Sequence, residues 1–259
     1  MKVMLWLLAI LGVLLAGPAA VLALGTAKVK GDWSTATHEP TGQAPSPETT
    51  PEAVVQVYAA RTFGWRGAFA VHSWVAAKPA GADRYTRYEV IGWNLFRGLS
   101  AVTVSSLRAP DAQWYGQTPM LLGELRGEVA QRVAEKLPEA ARSYPWPDRY
   151  RAWPGPNSNT FLAHLGREIP ELMLDLPAHA LGKDWLPTGQ ILARAPSGTG
   201  WQISFWGIAG ILLARQEGLE INLLGLVFGI DPAHLSLKVP GFGRIPQSAI
   251  GDSVKDPTR

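Results

Sequence analysis

The first 24 residues, MKVMLWLLAILGVLLAGPAAVLAL, carry a single charge on Lys2, and the next charged side chain is Lys28. A helix of about 20 apolar residues spans the hydrocarbon core of a bilayer, so this run is long enough to cross one, and Pro18 is tolerable inside such a helix. The same stretch has the layout of a signal peptide, with a basic start, an apolar middle and Ala23-Leu24-Gly25 as a small-residue cleavage site. Its length favours an uncleaved anchor. Either way, residues 1–24 are withdrawn from the folded core, and no later stretch is long and uncharged enough to make a second span. Lys2 at one end opposes Lys28 and Lys30 at the other, so the positive-inside rule gives no clean orientation. The body is expected on the outer side of a cell membrane, periplasmic or otherwise extracytoplasmic.

Residues 25–52 are rich in Pro, Thr, Ser, Gly and Ala without apolar periodicity, which predicts a flexible linker. A single α+β domain is expected over 53–243, an antiparallel sheet with packed helices, followed by a polar tail over 244–259. Three strands are expected at Ala53–Phe63, Gly67–Ala77 and Tyr85–Trp93, because apolar, β-branched and aromatic residues dominate them. The last two flank Lys78-Pro79-Ala80-Gly81-Ala82-Asp83 and are predicted to pair as a hairpin. Ala101–Leu107 is a candidate fourth strand. Gly123–Arg142 switches to helical spacing through Leu125, Val129, Val133 and Leu137, with Pro138 dividing or ending it. Trp201–Leu213 and Leu219–Phe228, separated by Ala214 to Gly218, read as a second hairpin.

Composition removes several chemistries. The chain has no cysteine, which excludes disulfides, thiolate catalysis and cysteine-ligated metals. Its net charge of +3 comes from 24 basic and 21 acidic residues with no basic cluster, so nucleic acid is not an expected partner. His38 lies in the linker, and His164, His179 and His234 have no carboxylates at ligand spacing, so no metal or other cofactor is expected. Eleven tryptophans and 21 prolines, often adjacent as in Trp146-Pro147 and Trp153-Pro154, suggest a loop-rich fold pinned by aromatic anchors.

The densest polar group lies in WPGPNSNTFLAHLGREIPEL, Trp153 to Leu172. Asn157, Ser158, Asn159 and Thr160 precede Phe161, Leu162, Leu165 and Ile169 at helical spacing, and Pro170 stops the run. One such residue suffices for an N-cap, and four exceed what capping needs. The excess sits where free backbone N–H groups and the positive end of the helix dipole point outward. His72 interrupts an apolar strand; with a turn centred between Ala80 and Gly81 it lies opposite Glu89, close enough for the carboxylate to orient the imidazole. A slip of one residue would turn Glu89 away. Ser197-Gly198-Thr199-Gly200 lacks the lysine of a phosphate loop and reads as a turn. Glu217 and Glu220 read as a solvated hairpin edge. Arg61 and Arg66 flank Gly64-Trp65, where they can bind an anion or position the strand turn.

A strand histidine followed much later by Asn-X-X-X-Phe at a helix start resembles the circularly permuted NlpC-type papain-like fold, which includes lecithin retinol acyltransferase-like proteins. There the histidine precedes the nucleophile, and Asn-Cys-X-X-Phe opens the nucleophile's helix. The resemblance implies Ser158 in the cysteine's place, His72 as base and Glu89 as the orienting group. A serine must lose its proton during attack to a well-aligned base with an oxyanion site ready. The strings VVQVYAARTFGWRGAFAVHSWVA, YRAWPGPNSNTF, LGKD, PSGTG and LEINLLGLVFGID resemble a bacterial membrane-associated family known only as a domain of unknown function.

Three readings stay open. In the first, a membrane-tethered envelope protein binds a peptide, glycan or lipid without catalysis, through Asn157, Asn159, Thr160 and Arg66 and stacking walls from Trp65, Trp74, Trp153 and Tyr150. The second is a serine-dependent amide or ester hydrolase or acyltransferase using Ser158, His72 and Glu89. In the third, the Asn/Ser quartet is purely architectural, knitting the helix start to the strands.

Overall fold

The computed structural model describes residues 1–246 and shows an α+β chain with two antiparallel sheets and an N-terminal apolar helix. Helix α1 (Lys2–Ala23) is long and apolar enough to cross a membrane or to be a signal sequence. Its C-terminal end packs on the body, where Val21 and Ala27 are buried with Ala68 against Phe69 and Phe242. Residues expected to form a loose linker also meet the body, because the Asp111 carboxylate accepts from the backbone N–H groups of Thr41, Gln43 and Ala44. The expected tail falls mostly on residues 247–259, outside the described residues.

The first sheet contains β1 (Val54–Arg61), β2 (Val71–Lys78), β3 (Thr86–Val90), β4 (Val102–Ser105) and β5 (Met120–Arg126), in the order β4-β3-β2-β1-β5. Strand alternation sends Val71, Val75 and Ala77 of β2 to one face and Trp74 and Ala76 to the other. The first face is covered by α2 (Gly127–Arg142) and α3 (Ser158–Glu168), whose buried stripes include Val133, Leu137, Leu162 and Leu165. Each such leucine, fully removed from water, contributes roughly 1.5–3 kcal/mol. The strand-to-helix switch comes later than the sequence spacing suggested: residues 123–126 pair with β1, and the helix starts at Gly127, where φ is +62°. Pro138 lies inside α2 without dividing it, its neighbours Leu137 and Ala141 being held in the core.

The second sheet is a seven-stranded meander: β6 (Leu192–Arg194), β7 (Gly200–Phe205), β8 (Ala209–Ala214), β9 (Gly218–Leu223), β10 (Leu226–Asp231), β11 (Ser236–Val239) and β12 (Gly243–Ile245). Each apolar segment expected to be one arm of a hairpin is itself a hairpin. Leu224 and Gly225 both have positive φ, the two-residue turn that matches strand twist, and Trp206 and Gly207 do the same. Leucine and tryptophan before the glycine, in place of the usual Asn or Asp, concealed both turns.

The side of this sheet facing the body is polar. Glu220 binds Lys183 and Lys238, the latter at 2.7 Å; Lys238 also binds Asp175 at 2.6 Å, and Arg244 binds Asp175 and Asp231. Asp184 accepts from Gln202 and Asn222. The solvated edge expected at Glu217 and Glu220 is therefore corrected: both are buried, and Glu217 accepts from the backbone N–H and hydroxyl of Ser197. Desolvation of two carboxylates is costly, and here it is offset by charged and hydrogen-bonding partners.

Candidate functional site

The start of α3 is built by its own sequence. Asn157 caps it, accepting from the N–H groups of Asn159 and Thr160, while the Thr160 hydroxyl accepts from the N–H of Asn157, a reciprocal capping box. The Asn157 amide then donates to the carbonyls of Ala152 and Leu181, and the Thr160 hydroxyl to that of Gly182. Asn159 reaches β2, accepting from the Ser73 hydroxyl at 2.7 Å and donating to the Val71 carbonyl at 3.0 Å. Those are the residues on either side of His72. Three members of the quartet are thus occupied in knitting helix to sheet and loop. Among the described residues, the hydroxyl of Ser158 makes no hydrogen bond, and Ser158 lines a cavity.

His72 projects from β2 on the face opposite Ser73. Its Nε2 lies 2.9 Å from Glu89 Oε2, and Arg87 Nη2 reaches the same oxygen at 2.9 Å. The hairpin register differs from the expected one by two residues: Val75 pairs with Tyr88, which sets Glu89 across from Trp74. A slip of two preserves the face, so Glu89 still reaches the imidazole. Burial opposes the charge on Glu89, but the His72 hydrogen bond and the Arg87 guanidinium hold its carboxyl down at about 2. Burial also lowers the His72 pKa, against the pull of Glu89 and helped by Arg87 and Arg108. A neutral imidazole beside an ionised carboxylate donates from Nε2, which leaves Nδ1 as the acceptor His72 offers to the cavity it lines. The ring is stacked on Trp114, with centroids 3.6 Å apart.

The cavity has a volume of about 1100 Å³ and lies where the ends of β2 and β3, the start of α3 and the β9–β10 turn converge. His72 and Ser158 both line it, although no hydrogen bond joins them among the described residues. Trp65, Arg66, Trp153, Tyr150, Asn157 and Asn159 also line it, while Glu89 stands behind His72 and Thr160 is turned into the helix cap. Trp74 is not at the wall: it is fully buried between Tyr58 and the Arg87 guanidinium, with its indole N–H bonded to the Pro110 carbonyl. It cannot stack on a ligand without unpacking the core. Arg61 is also committed, donating to the carbonyls of Gly67 and Gly241.

Sequence reasoning passed over Trp93, Tyr115, Trp114, Arg97 and Arg108 as lining residues. They fall in turns and in the loop between β4 and β5, where no periodicity marks a direction. The three lining arginines, Arg66, Arg97 and Arg108, pair with no acid among the described residues, and no Asp or Glu lines the cavity. No cluster of potential metal ligands occurs among the described residues.

The family described as "Protein of unknown function (DUF3750)" matches residues 52–185, just over half of the chain. That span takes in the first sheet, α2, α3 and the lysine–aspartate pair at 183–184, and stops before β6. No curated protein and no solved structure matches the chain.

Proposed function

The chain belongs to the DUF3750 family of proteins of unknown function, and we propose that it is a membrane-tethered envelope protein whose cavity binds the apolar body of an anionic, lipid-like ligand without transforming it. One observation carries this reading: a cavity of about 1100 Å³, walled mainly by aromatic and aliphatic side chains, bears three arginines and no carboxylate. Ligand sites of several hundred Å³ with an apolar lining and a few placed polar groups are the common form of small-molecule pockets. Guanidinium groups suit phosphate or carboxylate heads, since they donate in a planar fork. Phe69 belongs both to the cavity wall and to the cluster that receives the end of α1, so the rim adjoins the helix read here as the anchor. Calorimetric titration of the detergent-solubilised full chain with dodecyl phosphate tests the proposal. Saturable binding is expected, weakened at least tenfold in Arg97→Gln/Arg108→Gln; equal affinity for uncharged dodecyl maltoside would refute it.

A second reading has its own support in the oriented His72 and the unbonded Ser158 hydroxyl at a helix N-terminus. In the permuted papain-like arrangement, His72 Nδ1 would take the serine proton during attack on an ester or amide, with helix N–H groups receiving the oxyanion. Labelling by a fluorophosphonate that disappears in both Ser158→Ala and His72→Ala would favour it over simple binding.

A further inference from the structure

The outer face of the seven-stranded sheet is apolar in strict register. One row crosses all seven strands from Arg194 on β6 through Trp201, Leu213, Leu219, Ile230 and Leu237 to Ile245 on β12. The adjacent row runs Leu192, Ile203, Ile211, Ile221, Phe228. Exposure in these rows reaches 65% at Leu213 and is 42% at Ile245, with Leu219 and Phe228 half-buried. Strands at about 4.8 Å spacing make this surface roughly 30 Å wide. Soluble monomers rarely leave so large an apolar patch bare, and an ordinary antiparallel sheet puts that face inside.

We propose that this face lies on a lipid bilayer surface. Two observations select the occupant. Helix α1 meets the face at the C-terminal end of β11, beside the edge strand β12, where Gly17 packs so closely on Val239 and the Pro240 carbonyl that no Cβ would fit. Val239 follows Leu237 by two residues and so belongs to the outer face. Helix α1, whose one charge is Lys2 at its start, exposes apolar side chains over most of its length and, among the described residues, buries only Leu14, Gly17, Pro18 and Val21 on the body, so helix and apolar sheet are continuous and a membrane that receives one adjoins the other. The second observation is the charge pattern. Neither row contains an acid, and the one charge, Arg194, sits on the far edge strand with its guanidinium 4.2 Å from the centre of the Trp201 ring. An arginine stem and an indole at the margin of an apolar surface are the side chains that settle at a headgroup boundary. The inference draws on the membrane anchorage proposed above and adds a second, independent contact.

The absence of cysteine allows single nitroxide labels on the full chain in phosphatidylethanolamine–phosphatidylglycerol vesicles. Labels go at Ile211→Cys and Ile221→Cys on the face, Leu8→Cys in α1 and Arg142→Cys on α2 as the aqueous reference. Collision with oxygen, relative to a water-soluble nickel chelate, is expected to be several-fold higher at Ile211 and Ile221 than at Arg142. Adding Ile203→Glu and Leu213→Glu to the Ile221→Cys chain is expected to bring its ratio down to the Arg142 level. Water-like ratios at both face sites would overturn the proposal, and so would exclusion of both reagents with dipolar broadening, which would assign the face to a second copy. The Leu8 label reads the anchor separately: lipid contact there with water-like values at Ile221 removes the docking face and leaves the anchorage standing.

Discussion

The five-stranded sheet hides apolar side chains on both faces, whereas the seven-stranded sheet turns a polar face inward and an apolar face outward. In the first, α2 and α3 close over Val71, Val75 and Tyr88, and cohesion comes from packing. In the second, cohesion to the body comes from a network of three cations and three acids, in which Lys183, Glu220, Lys238 and Asp231 are buried and Asp175 and Arg244 are half-buried. Packing tolerates a lost methylene better than a buried charge tolerates a lost partner. The two regions should therefore fail in different ways.

The sharpest way to break the comparison is Glu220→Ala, which removes the one carboxylate shared by the buried Lys183 and Lys238 and leaves them only Asp184 at 3.6 Å and Asp175 at 2.6 Å. A loss of about 3–5 kcal/mol is expected by denaturant titration. Leu162→Ala on α3 should cost about 2–5 kcal/mol, through transfer and cavity terms. Should Glu220→Ala cost less than 1 kcal/mol, the ionic account of the second sheet fails.

Acid separates the regions further. Burial, with the nearby Arg61 charge, depresses the His179 pKa from 6.5 to about 3; the ring nitrogens have no hydrogen-bond partner among the described residues, and the ring lies beside Gly243 of β12. An unfolded histidine takes up its proton near 6.5 while the folded one resists, so stability falls as pH drops from about 6.5 toward 3. Glu89 has a folded pKa of about 2 against a model-peptide value of 4.5, so its contribution is present above 4.5 and is lost as pH falls toward 2. That contribution is on the order of 3 kcal/mol. His179→Leu should flatten the upper part of the pH–stability curve and Glu89→Gln the lower part, each read by thermal melting at stepped pH. The smallest effect is expected at the outer face: Ile211→Ala should change the stability of the detergent-solubilised chain by no more than about 0.5 kcal/mol, because Ile211 is about half exposed there.

Alternation along a strand is legible in sequence, but which face is inside is not. Trp201-Gln202-Ile203-Ser204-Phe205 reads as apolar-in by habit, and the molecule does the reverse because Asp184 and Arg167 wait on the other side for Gln202. Glu217 and Glu220 were misplaced for the same reason, since their partners come from segments 20 and 37 residues away. The strands β1 to β4, the start of α3 and its stop before Pro170 were readable, because capping, turn residues and periodicity are local signals. His72 and Glu89 were brought together by parity alone, with the register two residues off. Arg87, Trp114 and Arg108 could not be placed, because only the folded loop between β4 and β5 carries the last two to the imidazole.

Asp111 sets how far the body can travel. By holding the chain at Thr41 to Ala44, with the Gly116 N–H bonded to the Thr37 carbonyl, the body shortens its own leash. Between Ala23 and Thr37 lie only 13 residues, at most roughly 45 Å even if fully extended, and within them Ala27 packs on the body and Lys28 donates to the Gly116 carbonyl. With α1 as the anchor proposed above, a body moored that tightly would sample lipid headgroups continuously, and even a weak grip on one of them would be filled most of the time.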